Sequence, residues 1–225
     1  MVFELKNVVP WGRNLAEYRA MFGLTDEDLQ KQIAGFGDGP ASFNAELTRQ
    51  GGHVVSFDPL YLFDREQIRQ RIMETKDIVE LQTRGNQSNF VWKNIRDVDH
   101  LMQIRLDAMT CFLDDFDVDN SRYIPHEMPE KIHCADRTFD LGLSSHFLML
   151  YPELGLEFHI RSIVEMLRIC HEIRIFPLLN LNAVTSEMFL PVMEYFSKDY
   201  QVEVRKVNYE FQKNGNEVLV IQPKI

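Results

Sequence analysis

The chain is poor in cysteine, in clustered basic charge and in long apolar runs. Its three cysteines, Cys111, Cys134 and Cys170, are odd in number and far apart, which argues against a disulfide framework and favours a reducing compartment. No basic cluster is present, and 34 acidic against 24 basic side chains give a net charge of −10, which disfavours binding to nucleic acid. The best apolar window, LGLSSHFLMLY, is too short and too polar to span a membrane. The first residues lack the apolar core and cleavage site of a signal peptide, so we expect a cytoplasmic protein without membrane or nucleic-acid partners.

The sequence also lacks a recognisable metal site. The His–Cys pairs near residues 133 and 170 do not have the spacing of a zinc site. The stretch DFDVDNSRYIPHE begins like a calcium loop, but Asn120 stands where such a loop requires glycine and His126 where it requires a carboxylate. We therefore expect no bound metal.

A glycine-rich turn is the most informative local feature that is present. Three glycines occupy alternate positions in IAGFGDGP (residues 33–40), where missing side chains let the backbone approach a ligand closely. The pattern predicts a strand before the turn, a helix opened by Pro40, and a second strand over HVVSFD. Strand, turn, helix and strand within about thirty residues indicate a βαβ unit of the kind that binds nucleotides.

The rest of the chain predicts an α/β sheet. Residues 64–120 have apolar positions near helical spacing and should hold two or more helices. Later strand-like segments alternate with helices, and the last two strands flank Asn214-Gly215, a strong hairpin signal. The sequence thus predicts a doubly wound, mostly parallel seven-stranded sheet with an antiparallel hairpin at its end. We expect a single domain over residues 1–225, with a helical insertion at about 64–120.

The chemistry of the turn separates the two ligand types that use it. A dinucleotide fingerprint reads G-x-G-x-x-G, but Pro40 occupies the third glycine site. Asp38 would set a carboxylate against a pyrophosphate at the helix start, whereas S-adenosylmethionine presents an ammonium and a sulfonium cation near such a loop. Asp58 ends the second strand, 23 residues after Gly35, where a carboxylate can bind the ribose of either ligand. The charges therefore favour S-adenosylmethionine over NAD.

The stretches IAGFGDGPASFNAE, VVSFDPLY and FDLGLSSHFLMLY resemble the class I (Rossmann-like) S-adenosylmethionine-dependent methyltransferases. The resemblance covers most of the chain and looks closest to a bacterial subgroup whose activity is assigned by similarity alone. It implies that the glycine loop holds the methionine part of the cofactor and that the acid after the second strand holds the ribose. The implied cofactor contacts are Arg13, Tyr18, Gly35, Phe36, Gly37, Asp38, Gly39, Asp58, Pro59, Leu60, Glu127, Met128 and Ser144. Ala34 stands where the family more often has an acid, which leaves Asp38 as the nearest replacement.

No catalytic signature accompanies these motifs. Methyl transfer is an in-line displacement at an activated carbon, so the protein mainly supplies alignment and a dry pocket. A general base is needed only if the acceptor must lose a proton. His146 is the candidate base, and the alternative is that this histidine only shapes the loop after the fourth strand. We expect a methyltransferase that acts on a small molecule. The alternatives are a non-catalytic cofactor-binding or interaction module and, less favoured, a nucleotide-dependent oxidoreductase.

Overall fold

The computed structural model describes residues 10–117 and 121–224, and predictions that concern residues 1–9 and 118–120 lie outside these ranges. The described residues form six α-helices: α1 (Leu15–Phe22), α2 (Phe43–Arg49), α3 (Arg65–Gly85), α4 (Val98–Asp115), α5 (Gly155–Ile169) and α6 (Phe189–Phe196). They also form seven strands: β1 (Gln32–Phe36), β2 (His53–Phe57), β3 (Tyr123–Ile124), β4 (Phe139–Ser145), β5 (Cys170–Phe176), β6 (Tyr200–Lys206) and β7 (Glu217–Pro223).

The strands form one sheet in the order β3-β2-β1-β4-β5-β7-β6. Pairing is parallel from β3 to β5, and β7 is antiparallel to both β5 and β6. The chain runs outward from β1 to β3, then returns to start β4 on the other side of β1, so the sheet has a switch point between β1 and β4. This is the predicted α/β fold: a doubly wound, mostly parallel seven-stranded sheet that ends in an antiparallel hairpin.

Helices cover both faces of the sheet. Neighbouring residues of a strand point to opposite sides, so both faces carry apolar side chains that the helices bury. Ile33 packs in a core cluster with residues of α1 and α2, while the next residue, Ala34, packs in a second cluster with residues of α5 and α6. A third cluster lies between α3 and α4 and includes Tyr61, Ile72 and Phe112. The segment over residues 64–120, which was predicted to hold two or more helices, contains α3 and α4, and these helices pack against each other.

Local sequence signals define both ends of the first helix. Asn14 and Glu17 form a reciprocal capping box at the start of α1, which satisfies two backbone N–H groups. Gly23 ends the helix with φ 60°, a left-handed conformation that glycine adopts without steric cost.

The prediction that Pro40 opens the second helix is wrong, since α2 begins at Phe43. The backbone N–H of Ala41 donates to Asp38 O at 3.3 Å, and that of Ser42 donates to Arg13 O at 3.0 Å. The second of these bonds ties the chain ahead of α2 to the segment before α1, so residues 37–42 form a separate loop.

The predicted hairpin is present, but its turn is not at Asn214-Gly215 alone. Lys206 pairs with Glu217, so ten residues connect β6 to β7. Asn214 has φ 64° and Gly215 N donates to Gln212 O at 2.9 Å, so the pair forms a turn inside this longer connection. Within the described ranges, no helix combines the length and apolar character needed to cross a membrane.

Candidate functional site

A cavity of about 1190 Å³ opens at the carboxyl ends of β1, β2 and β4, beside the switch point of the sheet. Three loops line it there: residues 37–40 after β1, residues 58–60 after β2, and residues 145–147 at the end of β4. Open α/β sheets bind their ligands at this position. The volume is above the roughly 300–1,000 Å³ of most ligand pockets, so a nucleoside-sized ligand would leave room for a second molecule.

The glycine loop exposes its backbone to this cavity. Gly37 and Gly39 have φ 70° and 53°, which side chains rarely adopt. A Cβ at Gly39 would meet no atom within 4 Å, whereas one at Gly37 would lie 3.0 Å from Phe147. Tyr61 Oη donates a hydrogen bond to Gly39 O at 2.9 Å, which holds the backbone of the loop in place. The loop is therefore rigidly held, and its open side at Gly39 can be approached closely.

The Asp58 carboxylate joins the loops that follow β1 and β2. Its Oδ2 accepts a hydrogen bond from Gly39 N, and its Oδ1 accepts one from Leu60 N, both at 2.8 Å. Burial raises the pKa of Asp58 to about 6, although the two backbone N–H groups act to lower it. Each oxygen keeps a further lone pair, so the carboxylate can still accept hydroxyl groups of a ligand.

The Asp38 carboxylate folds back under the loop. Tyr18 Oη donates to its Oδ1 at 2.7 Å and Ser56 Oγ donates to its Oδ2 at 2.6 Å. A Cβ at Gly35 would lie 1.8 Å from Asp38 Oδ2, so the glycine makes room for this carboxylate. Burial, with a smaller contribution from the charge of Asp58, raises the pKa of Asp38 to about 6, although the hydrogen bonds from Ser56 and Tyr18 act to lower it. Two buried carboxylates thus lie side by side below the cavity.

His146 lines the cavity at the end of β4. Its φ of 53° is left-handed, and its backbone N–H donates to Phe176 O at 2.7 Å. Its Nδ1 lies 2.9 Å from Ser145 Oγ. Burial, together with the charges of Arg13 and Arg105, holds the pKa of His146 well below its ordinary value, so the imidazole is neutral at neutral pH.

A buried ion pair lies behind the cavity. Arg105 is fully buried, and its Nη1 lies 2.5 Å from Glu17 Oε2, while Tyr209 Oη donates to Glu17 Oε1 at 3.0 Å. Arg13 lines the cavity nearby, and its Nε is buried without a hydrogen-bond partner among the described residues. Burial and the charge of Arg105 both lower the pKa of Arg13. Among the described residues, Glu17 pairs with Arg105 alone, so the nearby guanidinium group of Arg13 leaves positive charge at this wall.

The structure brings most of the residues predicted from the sequence together at the cavity. Those that line it are Arg13, Tyr18, Gly37, Asp38, Gly39, Asp58, Pro59, Leu60, Glu127, Met128 and His146. Three others do not reach it. Gly35 lies under the Asp38 carboxylate, Phe36 packs in the core between the sheet and α5, and Ser144 is fully buried. Ser145 lines the cavity instead of Ser144, because successive strand residues face opposite sides.

Sequence reasoning missed several polar residues that shape the site. Ser145 adjoins the predicted Ser144, and Ser56 lies within a predicted strand, where its position alone did not indicate a partner. Arg105 occupies the apolar face of α4, and a charge on such a face was the available signal for a buried pair. Within the described residues, no group of three or more His, Cys, Asp or Glu side chains is placed to hold a metal ion.

Fold and site together define a Rossmann-like α/β protein with a ligand cavity at the switch point of its sheet. The chain is 37% identical over 221 residues to the uncharacterized protein MJ0045 from Methanocaldococcus jannaschii, a match that covers 97% of this chain and 98% of that protein. The chain belongs to the same family as MJ0045. Since this relative is archaeal, it does not confirm the predicted resemblance to a bacterial subgroup.

No family model matches the chain. Among solved structures, PH0226 from Pyrococcus horikoshii is similar with a TM-score of 0.45 and 12% identity, over 87% of this chain and 82% of that one. A SAM-dependent methyltransferase from Aquifex aeolicus is similar with a TM-score of 0.42 and 14% identity, over 92% of this chain and 87% of that one. At these values the similarity bears on neither activity nor substrate.

Proposed function

We propose that this protein is an S-adenosylmethionine-dependent methyltransferase that acts on a small molecule. One observation carries the proposal: the backbone of the glycine loop and the carboxylate of Asp58 line one cavity at the switch point of the sheet. A nucleoside cofactor needs both a loop that its polar end can approach and an acceptor for its ribose hydroxyls. The antiparallel β7 supports the methyltransferase type of sheet over a parallel dinucleotide-binding sheet.

The residues present fit this cofactor. The remaining lone pairs of Asp58 would accept the two ribose hydroxyl protons, and the open backbone at Gly39 would face the methionine part. Pro59, Leu60 and the buried Met128 supply apolar surface for the adenine, with Glu127 exposed beside them for its amino group. The unpartnered guanidinium Nε of Arg13 suits the carboxylate of the methionine part.

The charges at the floor of the cavity also suit a cationic cofactor. The bound cofactor would supply a methyl carbon activated by a sulfonium. Both oxygens of Asp38 already accept hydrogen bonds from hydroxyls, so this residue would favour the cation through its charge rather than as a direct replacement for the acid absent at Ala34. Two carboxylates below the site would repel a pyrophosphate.

The acceptor would occupy the remainder of the cavity. The cavity lining also includes residues of α3 and of the connection from β6 to β7, and the amide side chains of Gln67, Asn89, Asn182 and Gln212 contribute to it. Neutral amides can pair with both donors and acceptors of a polar small molecule. The net charge of −10 speaks against a nucleic-acid acceptor. We further propose that the chain works as one cytoplasmic domain, with α3 and α4 as a helical insertion beside the acceptor.

Calorimetric titration tests the proposal. S-adenosylmethionine and S-adenosylhomocysteine should both bind the wild-type protein, and NADH should not. Asp58→Asn should weaken binding of S-adenosylhomocysteine by roughly 1.5–3 kcal/mol, the value of a charge-assisted hydrogen bond. Asp77→Asn, on the exposed side of α3, removes the same charge and should leave the affinity unchanged. Binding of NADH alone, or equal affinities of wild type and a folded Asp58→Asn variant, would contradict the assignment.

A further inference from the structure

Part of the cavity wall is built where two long connections meet. Residues 86–97 connect α3 to α4, and residues 207–216 connect β6 to β7. Val91 N donates to Phe211 O at 2.7 Å, and Phe90 forms an antiparallel β-bridge with Gln212. Phe90, Phe211 and Gln212 all line the cavity. The paired backbones therefore hold two aromatic side chains and one amide side chain at the same wall.

The aromatic side chains of this wall form a cluster. Phe90 and Phe211 are stacked, with ring centroids 4.7 Å apart and an angle of 12° between the ring planes. Trp92 packs edge-on against both, with its centroid 5.9 Å from Phe90 and 5.5 Å from Phe211. Its indole N–H donates to Gln87 O at 2.9 Å, which holds the ring in place. Because Phe90 and Phe211 are half-buried and line the cavity, the cluster offers aromatic surface on which a further ring can pack.

The amide of Gln212 carries an unused hydrogen-bond acceptor. Its Oε1 atom is buried and has no hydrogen-bond partner among the described residues. The other amides of the lining differ from it: Gln67 Oε1 accepts from Asp64 N, and the side chains of Asn89 and Asn182 are exposed. A buried carbonyl oxygen without a partner costs free energy, which a ligand that donates to it would recover.

The contribution of α3 to the lining carries no net charge. Arg71 and Glu74 both line the cavity, and Arg71 Nη1 lies 3.6 Å from Glu74 Oε2. The same helix also contributes the side chains of Ile68, Val79 and Thr83, which are buried and neutral. A charged ligand would lose hydration here without gaining a free counter-charge, so this wall favours an uncharged one.

We propose that the methyl acceptor is an uncharged, planar aromatic or heteroaromatic molecule that carries an N–H or O–H group, and that Gln212 and Phe211 determine this specificity. Its ring packs against the aromatic cluster, and its N–H or O–H donates to Gln212 Oε1. The inference rests on the proposed function, and it adds the chemical class of the acceptor. A site that hydrogen-bonds an N–H or O–H of its substrate rejects analogues that lack this group.

Saturation-transfer NMR with two small rings, in the presence of excess S-adenosylhomocysteine, tests the inference. Indole and benzofuran have nearly the same shape, but indole carries an N–H donor where benzofuran carries a ring oxygen that only accepts. Indole should bind the wild type about fivefold more tightly than benzofuran, the effect of one hydrogen bond. Gln212→Met removes the acceptor at similar length and should abolish this preference, whereas Gln212→Glu keeps an oxygen and should retain it.

Two other variants complete the design. Phe211→Ala should weaken the binding of both probes by a similar factor, because it removes ring surface and leaves the amide in place. Gln201→Met is the matched control, since Gln201 is exposed on β6, and it should change neither affinity.

Equal affinities of the wild type for the two rings, a preference for benzofuran, or an unchanged preference in a folded Gln212→Met variant would overturn the inference. Displacement of indole by S-adenosylhomocysteine would also overturn it, because the ring would then occupy the cofactor part of the cavity. Calorimetry with S-adenosylhomocysteine separates the two proposals. Cofactor binding without the preference for indole rejects the acceptor class alone, and the preference without cofactor binding rejects the methyltransferase assignment and the acceptor role together.

Discussion

Ionisation of the buried Asp38 carboxyl group should destabilise the folded protein. The contribution of this group to stability should therefore be larger in mild acid than at neutral pH. In the folded protein its pKa is raised from 3.8 to about 6, chiefly by burial. The folded state therefore binds a proton more tightly than the unfolded chain does. Stability from this group is fully present below the unfolded value and is lost as the pH rises through about 6.

The size of the effect follows from the two pKa values. Ionisation of a group whose pKa rises by about two units costs roughly 3 kcal/mol when it is complete. Between about pH 7.5 and about pH 5 only part of this is recovered, and the linkage relation gives about 1.4 kcal/mol for Asp38. Asp38→Asn cannot titrate, and its amide can still accept from Tyr18 and donate to Ser56.

Urea unfolding of both proteins at these two pH values provides the measurement. The free energy of unfolding of the wild type minus that of Asp38→Asn should be about 1.4 kcal/mol larger at about pH 5 than at about pH 7.5. Titrating groups that do not interact with Asp38 are common to both proteins and cancel in this difference. Asp77→Asn, which is exposed, should give the same difference at both pH values. If Asp38→Asn also gave a constant difference, Asp38 would not be a buried acid that titrates near pH 6.

Two further changes test the packing around the site by urea unfolding. Gly35→Ala should destabilise the protein by about 1–3 kcal/mol, because its Cβ would overlap the Asp38 carboxylate. Gly85→Ala, at the end of α3 with no atom within 4 Å of the new Cβ, should be neutral or stabilising, and equal losses in both variants would refute the account of Gly35. Arg105→Met should cost about 3–5 kcal/mol because it leaves Glu17 buried and unpaired, whereas the double variant with Glu17→Gln should lose much less; similar losses would contradict the ion pair.

Much of the fold could be predicted because its signals are local. The β-branched run at the second strand, the apolar spacing within residues 64–120 and the capping residues of α1 each report on a few neighbouring positions. The turn at Asn214-Gly215 is present, but the length of the connection that contains it was not predicted, because a distant contact decides it. Phe90 forms a β-bridge with Gln212 and stacks on Phe211 at 4.7 Å, which draws the connection between β6 and β7 out over the cavity.

The candidate site was less predictable because its details depend on register and on which way a side chain folds. The neighbours Ser144 and Ser145 look alike in sequence, and only the pairing of β4 with β1 and β5 decides which one faces the cavity. Asp38 was expected to face a ligand directly. Its carboxylate instead occupies the space beside Gly35 and accepts hydrogen bonds from the hydroxyls of Tyr18 and Ser56. The two side chains that hold Asp38 lie 20 positions before it and 18 positions after it, separations that no local pattern reports.

The ion pair behind the cavity also constrains how the protein can be assembled during synthesis. Glu17 bonds to Tyr209, 192 positions later in the chain, and to Arg105 about halfway between them. The strand β7 follows Tyr209 and lies inside the sheet, between β5 and β6. A nascent chain still missing these residues leaves Glu17 without one of its partners and leaves β5 and β6 without the strand that pairs with both. The contacts of Glu17 and the pairing of β5 with β7 can therefore be completed only after β7 has left the ribosome, and until then the unpaired edge of β5 is open to aggregation.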